Sequence, residues 1–259
     1  MQITAINASH RGDRGTTHFL LETLLRGASE AGAVCNMVVL ARLKLNRCLA
    51  CLRCQSDEAH LRCIYEDKDD MAAVLAQMAA ADVIVFATPV YMMTMSGLMK
   101  TLLDRLYSTM DVSDMHLNAS GLIHHHVNPA IVSKPFVLLT CCSNVEAETP
   151  RSVVSYFHTY SRFMDAPQVG TLVRNATPLL EYARSHNQMG AHPRVARVLA
   201  AYEQAGRELA TSGRIHRSTQ RAANQEIVPV PFFSLLKRLR PVRLRVIDGT
   251  QRMLQQNVS

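Results

Sequence analysis

The chain has no apolar run approaching the roughly eighteen residues that a membrane-spanning helix needs. Its first residues show no basic leader followed by an apolar stretch, so the expectation is a soluble, cytoplasmic protein with no transmembrane segment. There is no internal repeat and no low-complexity tract, which sets aside solenoid arrays and disordered linkers. The G-x-G-x-x-G dinucleotide fingerprint and the Walker phosphate loop are both missing. So is any Ser-His-Asp or paired-carboxylate arrangement that would support hydrolysis. Basic excess is absent from most of the chain. Residues 1–213 are neutral, and the net charge of +7 belongs to residues 214–259, where nine Lys/Arg face only Glu226 and Asp248. Without interleaved aromatics or a nucleic-acid motif, that stretch reads as a solvated or subunit-contacting arm, and no nucleic-acid partner is expected.

What is present is an alternation of short apolar runs with helical patterns. "QITAIN" (Gln2–Asn7), "AVCNMVVLA" (Ala33–Ala41), "DVIVFAT" (Asp82–Thr88), "PFVLLTCC" (Pro135–Cys142) and "QVGTLV" (Gln168–Val173) read as strands. Helices are expected between them, one of them opening on the acids of "DDMAAVLAQMAAA". Five strands separated by helices argue for an α/β, doubly wound sheet whose ligand lies where strand carboxyl ends meet a topological switch point. The expected organisation is a domain over residues 1–213, with a cysteine-rich insertion at 45–66, followed by a helical and basic arm at 214–259.

Three loops at that edge carry ligand chemistry. "NASHRGDRGTTHFLL" supplies Ser9, Thr16 and Thr17 hydroxyls, the cations Arg11 and Arg14, and the amides of a helix start, a natural cradle for phosphate. "ATPVYMMTMSG" places Pro89, Val90, Tyr91 and Met92 as a flat apolar wall for a planar ring. "TCCSNVEAE", with Cys142 and Ser143, ends the next strand at the same edge.

The cysteines are clustered. Cys48, Cys51 and Cys54 fall at C-x2-C-x2-C spacing and Cys63 follows. Four thiolates so spaced suit the corners of a [4Fe–4S] cube. A zinc ion, a C-x-x-C dithiol and thiols without metal are the alternatives. Arg47, Arg53 and Arg62 flank the thiols and would favour their ionised form. His124–His126 read as a loop, Cys35 as core, and Asp104 with Arg105 as a helix-surface or interface pair.

"INASHRGDRGTTHFLL" followed by "ADVIVFATPVYMMTMSGLMKTLLDRL" resembles the flavodoxin-like NAD(P)H-dependent FMN reductase family. The cysteine stretch with "YEDKDDM" resembles that family's iron–sulfur flavoprotein branch, and the resemblance spans roughly residues 1–215. The family usually has Gly where Ala8 stands, Asn where Thr16 stands and a shorter last cysteine gap. The resemblance implies a flavodoxin-like five-stranded parallel sheet and FMN held without a covalent bond. By position, Ser9, Arg11, Thr16 and Thr17 match phosphate binders, with Arg14 beside them. Pro89, Val90, Tyr91 and Met92 match the ring-binding segment, Cys142 and Ser143 fall in the third loop, and Cys48, Cys51, Cys54 and Cys63 match the cluster ligands. It further implies a flavin-dependent oxidoreductase with no catalytic side chain beyond the cofactor ligands. Electrons from NAD(P)H or a ferredoxin-like carrier would pass to a quinone-like or other small acceptor. The alternative is an electron carrier or redox sensor without a substrate of its own. A homo-oligomer is expected, since flavin sites in such reductases are often completed by a neighbouring subunit.

Overall fold

Residues Val83–Ala87 are apolar at every position and all buried, so the strand they form needs cover on both faces. The computed structural model describes residues 1–186, 192–228 and 232–258. Within them the chain runs β1 (Gln2–Asn7), α1 (Thr16–Glu30), β2 (Val34–Val39), α2 (Met71–Ala80), β3 (Val83–Tyr91), β4 (Thr94–Met95), α3 (Gly97–Arg105), β5 (Met110–Leu117) and β6 (Ile123–Val127). It continues through α4 (Pro129–Val132), β7 (Phe136–Cys141), α5 (Arg151–Phe163), β8 (Gln168–Arg174), α6 (Thr177–Ser185), α7 (Pro193–Ser212), α8 (Arg217–Ala223), α9 (Phe233–Leu236) and α10 (Arg240–Val258).

The strands order as β2-β1-β3-β7-β8, all parallel, with β4 turned back on β3. The alternation of side chains along each strand divides the core. Ile3, Val85 and Leu139 pack with Leu20 and Leu24 of α1 and with Val198 and Tyr202 of α7. Ile6, Phe86 and Leu138 pack with Val74 of α2, Met99 of α3 and Phe157 of α5. This is the expected flavodoxin-like doubly wound sheet, and the winding reverses between β1 and β3. β3 runs to Tyr91, beyond the expected Thr88, because β4 pairs with its last residues.

One segment differs in kind from the expectation. His124–His126 are not in a loop: they lie in β6, paired antiparallel with β5 outside the main sheet. Most residues of this hairpin are exposed or half-buried, so it carries no apolar period to read. Its turn residue Asn118 donates from Nδ2 to the carbonyls of Arg162 (2.7 Å) and Phe163 (3.2 Å), satisfying the end of α5. The start of the C-terminal arm is also bound to the sheet. Gln220 Oε1 accepts from the Thr171 amide (2.9 Å) and Asn224 Oδ1 from the Val173 amide (2.7 Å), so α8 covers the outer edge of β8. Buried Arg174 completes the contact by donating to the Gln225 carbonyl at 2.6 Å. Pro229–Pro231 and Ser259 of the arm lie outside the described residues.

Helices α1 and α7 cross at glycines. A Cβ at Gly27 would stand 2.0 Å from the Glu203 carbonyl oxygen, and one at Gly206 would stand 1.9 Å from that of Leu24. Both obstacles are backbone, so neither helix can yield without separating. Gly206→Ala is therefore expected to cost about 2–3 kcal/mol, as other overpacked sites do. A denaturant midpoint unchanged from the parent chain would contradict this close crossing.

Candidate functional site

The first loop is built by Asn7, which is fully buried. Its Oδ1 accepts from the Ser9 amide (3.0 Å) and its Nδ2 donates to the Gly12 carbonyl (3.3 Å). Gly12 takes φ +57°, a conformation that glycine adopts without strain. Helix α1 then starts at Thr16 behind Gly15, and no side chain caps it. Uncapped amides at a helix start, with the positive end of the helix dipole, are suited to an anion. A Cβ on Gly15 would approach Ser9 Oγ to 2.7 Å, so the cradle accepts only glycine there without rearranging. Thr16 and Thr17 are buried around it. Thr17 Oγ1 lies 3.2 Å from Cys141 Sγ. Arg14 is exposed and offers its carbonyl to Arg184 Nη2 (3.4 Å). Arg11 Nη1 and Thr16 Oγ1 both donate to one oxygen of Glu181, at 2.7 and 2.5 Å.

The second loop is knitted to the first. The Ala8 amide donates to the Ala87 carbonyl (2.9 Å), and Ser96 Oγ donates to the Ala8 carbonyl (2.7 Å) while capping α3 at the Met99 amide. Between Tyr91 and Thr94 the chain reverses through Met92 and Met93, with φ +46° and +65°. Left-handed backbone at both central positions is the geometry for which tight hairpins select Asn-Gly, and here two methionines adopt it. Such strain costs roughly 1–3 kcal/mol per residue and concentrates at functional sites. Met92 is 92% exposed and Tyr91 40% exposed, with the Tyr91 ring stacked on His10 at 5.9 Å. Pro89 is buried and Val90 half-buried at the base of this turn. The hydroxyl of Ser152, in α5, donates to the Met93 carbonyl and fixes the turn to the third region of the site.

In the third loop Ser143 is exposed and Cys142 is buried. The Cys142 thiol turns toward Asn175 Oδ1 (3.3 Å) and the Asn144 carbonyl (3.5 Å). Burial pushes Cys141 up to about 12 and Cys142 up to about 11, so both are neutral thiols near neutral pH. A cleft of about 660 Å3 opens between Met93, Asn144 and the start of α5 at Arg151 and Ser152.

Cys48, Cys51, Cys54 and Cys63 line one small pocket with Ile64, Tyr65 and Tyr107. Left-handed Ala50 and Leu52 turn the chain between them. Among the described residues no group of three or more His, Cys, Asp or Glu side chains stands ready to hold a metal ion. Three polar side chains clamp the segment. Gln55 Nε2 donates to the carbonyl of Met110 (2.8 Å), and its Oε1 accepts from the Val112 amide (3.1 Å). Asp69 Oδ2 accepts from the Asn46 amide (2.9 Å) and from Arg105 Nη1 (2.5 Å), which also donates to the Asn46 carbonyl (2.9 Å).

Arg105 is therefore not the helix-surface residue expected. Its side chain is 2% exposed and paired with the solvent-shielded carboxylate of Asp69, whereas Asp104 does lie at the surface against Lys100. Arg53 and Arg62 point to Glu58 and Glu66, so the buried positive charge close to Cys48 and Cys63 comes from Arg105. Burial raises the Cys54 thiol, partly offset by the amide of Gln55. Ser96, Glu181 and the Asp69–Arg105 pair escaped the sequence reading because each acts on a segment distant in the chain, and Asn7 because it reads as the last residue of a strand.

Arg105→Met should leave the Asp69 charge buried and unpaired, and cost about 3–5 kcal/mol. Burial alone raises the Asp69 carboxyl, but Arg105 and the amides of Asn46 and Met71 outweigh it and hold it below its ordinary value. Its stabilisation is thus present above the unfolded carboxylate pKa and is lost as pH falls through the lower folded value. A stability profile between pH 5 and pH 2 should show this acid limb (the range is about that of ordinary and depressed carboxylates). A limb of the same depth in Asp69→Asn/Arg105→Met would contradict the assignment.

Residues 1–172 match the family described as NADPH-dependent FMN reductase. An iron–sulfur flavoprotein from Archaeoglobus fulgidus is 31% identical over 105 residues, covering 40% of this chain and 48% of that protein. A second, from Methanocaldococcus jannaschii, is 37% identical over 89 residues, covering 34% and 43% respectively. The chain thus spans about half the length of the curated relatives it matches. An FMN-dependent NADH-azoreductase from Bacillus anthracis, solved with FMN, superposes with a TM-score of 0.56 at 13% identity, over 82% of this chain and 100% of that one. That likeness is one of fold. With two thirds of its length matched and its loops disposed around the sheet reversal, the chain belongs to the NADPH-dependent FMN reductase family, a family of flavin oxidoreductases.

Proposed function

We propose that this chain is an FMN-dependent oxidoreductase, drawing electrons from NAD(P)H or a reduced ferredoxin-like carrier and delivering them to a small quinone-like acceptor. One observation carries the reading: the uncapped start of α1 and the strained turn at Met92–Met93 stand at the carboxyl ends of β1 and β3, joined by the stacking of Tyr91 on His10, at the reversal of the sheet. Bound FMN supplies the hydride and electron chemistry. The chain's residues bind, orient and shield it. Ser9, Arg11, Thr16, Thr17 and the first amides of α1 would hold the phosphate, with Arg14 at the rim. Pro89, Val90, Met92 and the Tyr91 ring would wall the flavin ring, with Cys142 and Ser143 bordering it. The neutral thiols of Cys141 and Cys142 offer no competing nucleophile. No side chain is assigned as a general acid or base.

A [4Fe–4S] cluster on Cys48, Cys51, Cys54 and Cys63 is the second cofactor of this reading. The pocket shared by the four thiols, the buried Arg105 behind them and the name of the archaeal relatives support it. Such a cluster supplies one-electron chemistry. Exposed Cys51, between exposed Leu49 and Leu52, favours contact with a protein electron carrier, and hence a second reading as a carrier or sensor without its own small-molecule substrate. The exposed Phe232, Leu235 and Leu239 of the arm support its use against a second copy of the chain.

Protein purified without oxygen should carry about one FMN and about four irons with four sulfides per chain, and should oxidise NAD(P)H with a quinone acceptor. Flavin without iron would remove the cluster alone, and colourless protein that takes up no FMN would remove the whole reading. Tyr91→Ala should bind FMN about tenfold more weakly, about 1.4 kcal/mol. Unchanged affinity would place the ring elsewhere. A strictly monomeric sedimentation profile of the loaded protein would remove the role of the arm.

A further inference from the structure

The cradle at the start of α1 already holds an anion. Glu181 Oε1 takes the guanidinium of Arg11 at 2.7 Å and the hydroxyl of Thr16 at 2.5 Å, two of the groups assigned above to the flavin phosphate. Its side chain is only 26% exposed, so it is not an idle surface acid. The helix that carries it, α6, is fastened at both ends of the site. At its start, Ala176 sits in left-handed backbone (φ +58°), its amide donates to the Asn144 carbonyl (3.0 Å), and the Thr177 amide donates to that of Cys142 (3.1 Å). Near its end, Arg184 lies over the Phe19 ring at 5.3 Å and reaches the Arg14 carbonyl. Helix α6 therefore straps the first loop to the third, and its carboxylate is the point of closure.

We propose that Glu181 is an internal competitor for the phosphate of FMN, and that its contact from α6 is a latch that flavin loading must open. A phosphate monoester bearing nearly two negative charges cannot share Arg11 and Thr16 with a carboxylate, because two anions on the same donors repel. Binding FMN displaces Glu181 from Arg11 and Thr16 and opens that contact alone, while the amides of Ala176 and Thr177 keep α6 on the third loop. Riboflavin has the same ring and no phosphate, so it leaves the latch closed. The strap thus lowers the affinity for FMN while leaving the ring site untouched, and makes flavin release easier than the three loops alone would allow. This inference rests on the phosphate assignment in the first loop.

The test is a fluorescence titration of flavin-free protein with FMN and with riboflavin, in the unaltered chain and in Glu181→Gln. The amide keeps the size of the side chain and removes its charge. FMN is expected to bind roughly tenfold more tightly to the variant, with riboflavin unchanged within about twofold. Inorganic phosphate should raise the melting temperature of the variant more than that of the parent, a readout needing neither flavin nor turnover. Glu181→Ala should move both quantities in the same direction, which guards against a fault peculiar to the glutamine. Weaker FMN binding in the variants would make Glu181 a support for Arg11 and overturn the latch. An equal change for FMN and riboflavin would also overturn it. If the unaltered chain binds riboflavin but FMN no better in any variant, the phosphate assignment itself falls and the latch with it.

Discussion

The site depends on the parallel pairing of β1 with both β2 and β3. Because the chain leaves β1 toward β2 and leaves β3 toward β7, in opposite directions, the loops after β1 and β3 part above the sheet and leave a crevice between them. Two hydrogen bonds hold that crevice to a fixed width: the Ala8 amide to the Ala87 carbonyl, and the Ser96 hydroxyl to the Ala8 carbonyl. Everything proposed for flavin binding hangs from them. The Tyr91–Thr94 turn can keep two methionines in left-handed backbone because β3 below it is buried on both faces and Ser152 anchors it from α5.

Charge is arranged differently in the two candidate cofactor sites. At the phosphate cradle the positive groups are largely at the surface, and the opposing carboxylate of Glu181 comes from an element far along the chain. Such an ion pair contributes little stability by itself, so exchanging its carboxylate for a phosphate is inexpensive for the fold. Beneath the cysteines the cation is buried. Arg105 and Asp69 form a pair out of water that also closes the base of the cysteine segment at Asn46. Removing one partner there would disturb the fold at the base of the cysteine segment.

The sheet was legible because its central strands β3 and β7 are apolar runs buried on both faces and its helices are amphipathic. Gln2–Asn7 formed with the bounds expected, and the other four strands shifted by three residues or fewer at either end. The three loops were legible because strand ends place them at one edge of the sheet. The hairpin with His124–His126 was not legible, since exposed strands leave no period in hydropathy. Arg105 was misjudged because its partner Asp69 lies 36 residues away and reads in sequence as a helix-start acid. Glu181 was invisible for the same reason at greater distance, 170 residues from Arg11. The spacing of Cys48, Cys51, Cys54 and Cys63 is legible in the sequence, and all four line one pocket, although among the described residues they do not converge as a metal-holding group.

The most direct measurement is a crystal structure of the chain loaded with FMN. The account predicts the phosphate at the amides of Thr16 and Thr17, with the ring against Tyr91 and the turn at Met92–Met93. FMN bound away from the β1/β3 crevice, or with its phosphate directed to the cleft beside Arg151, would contradict the account at its centre.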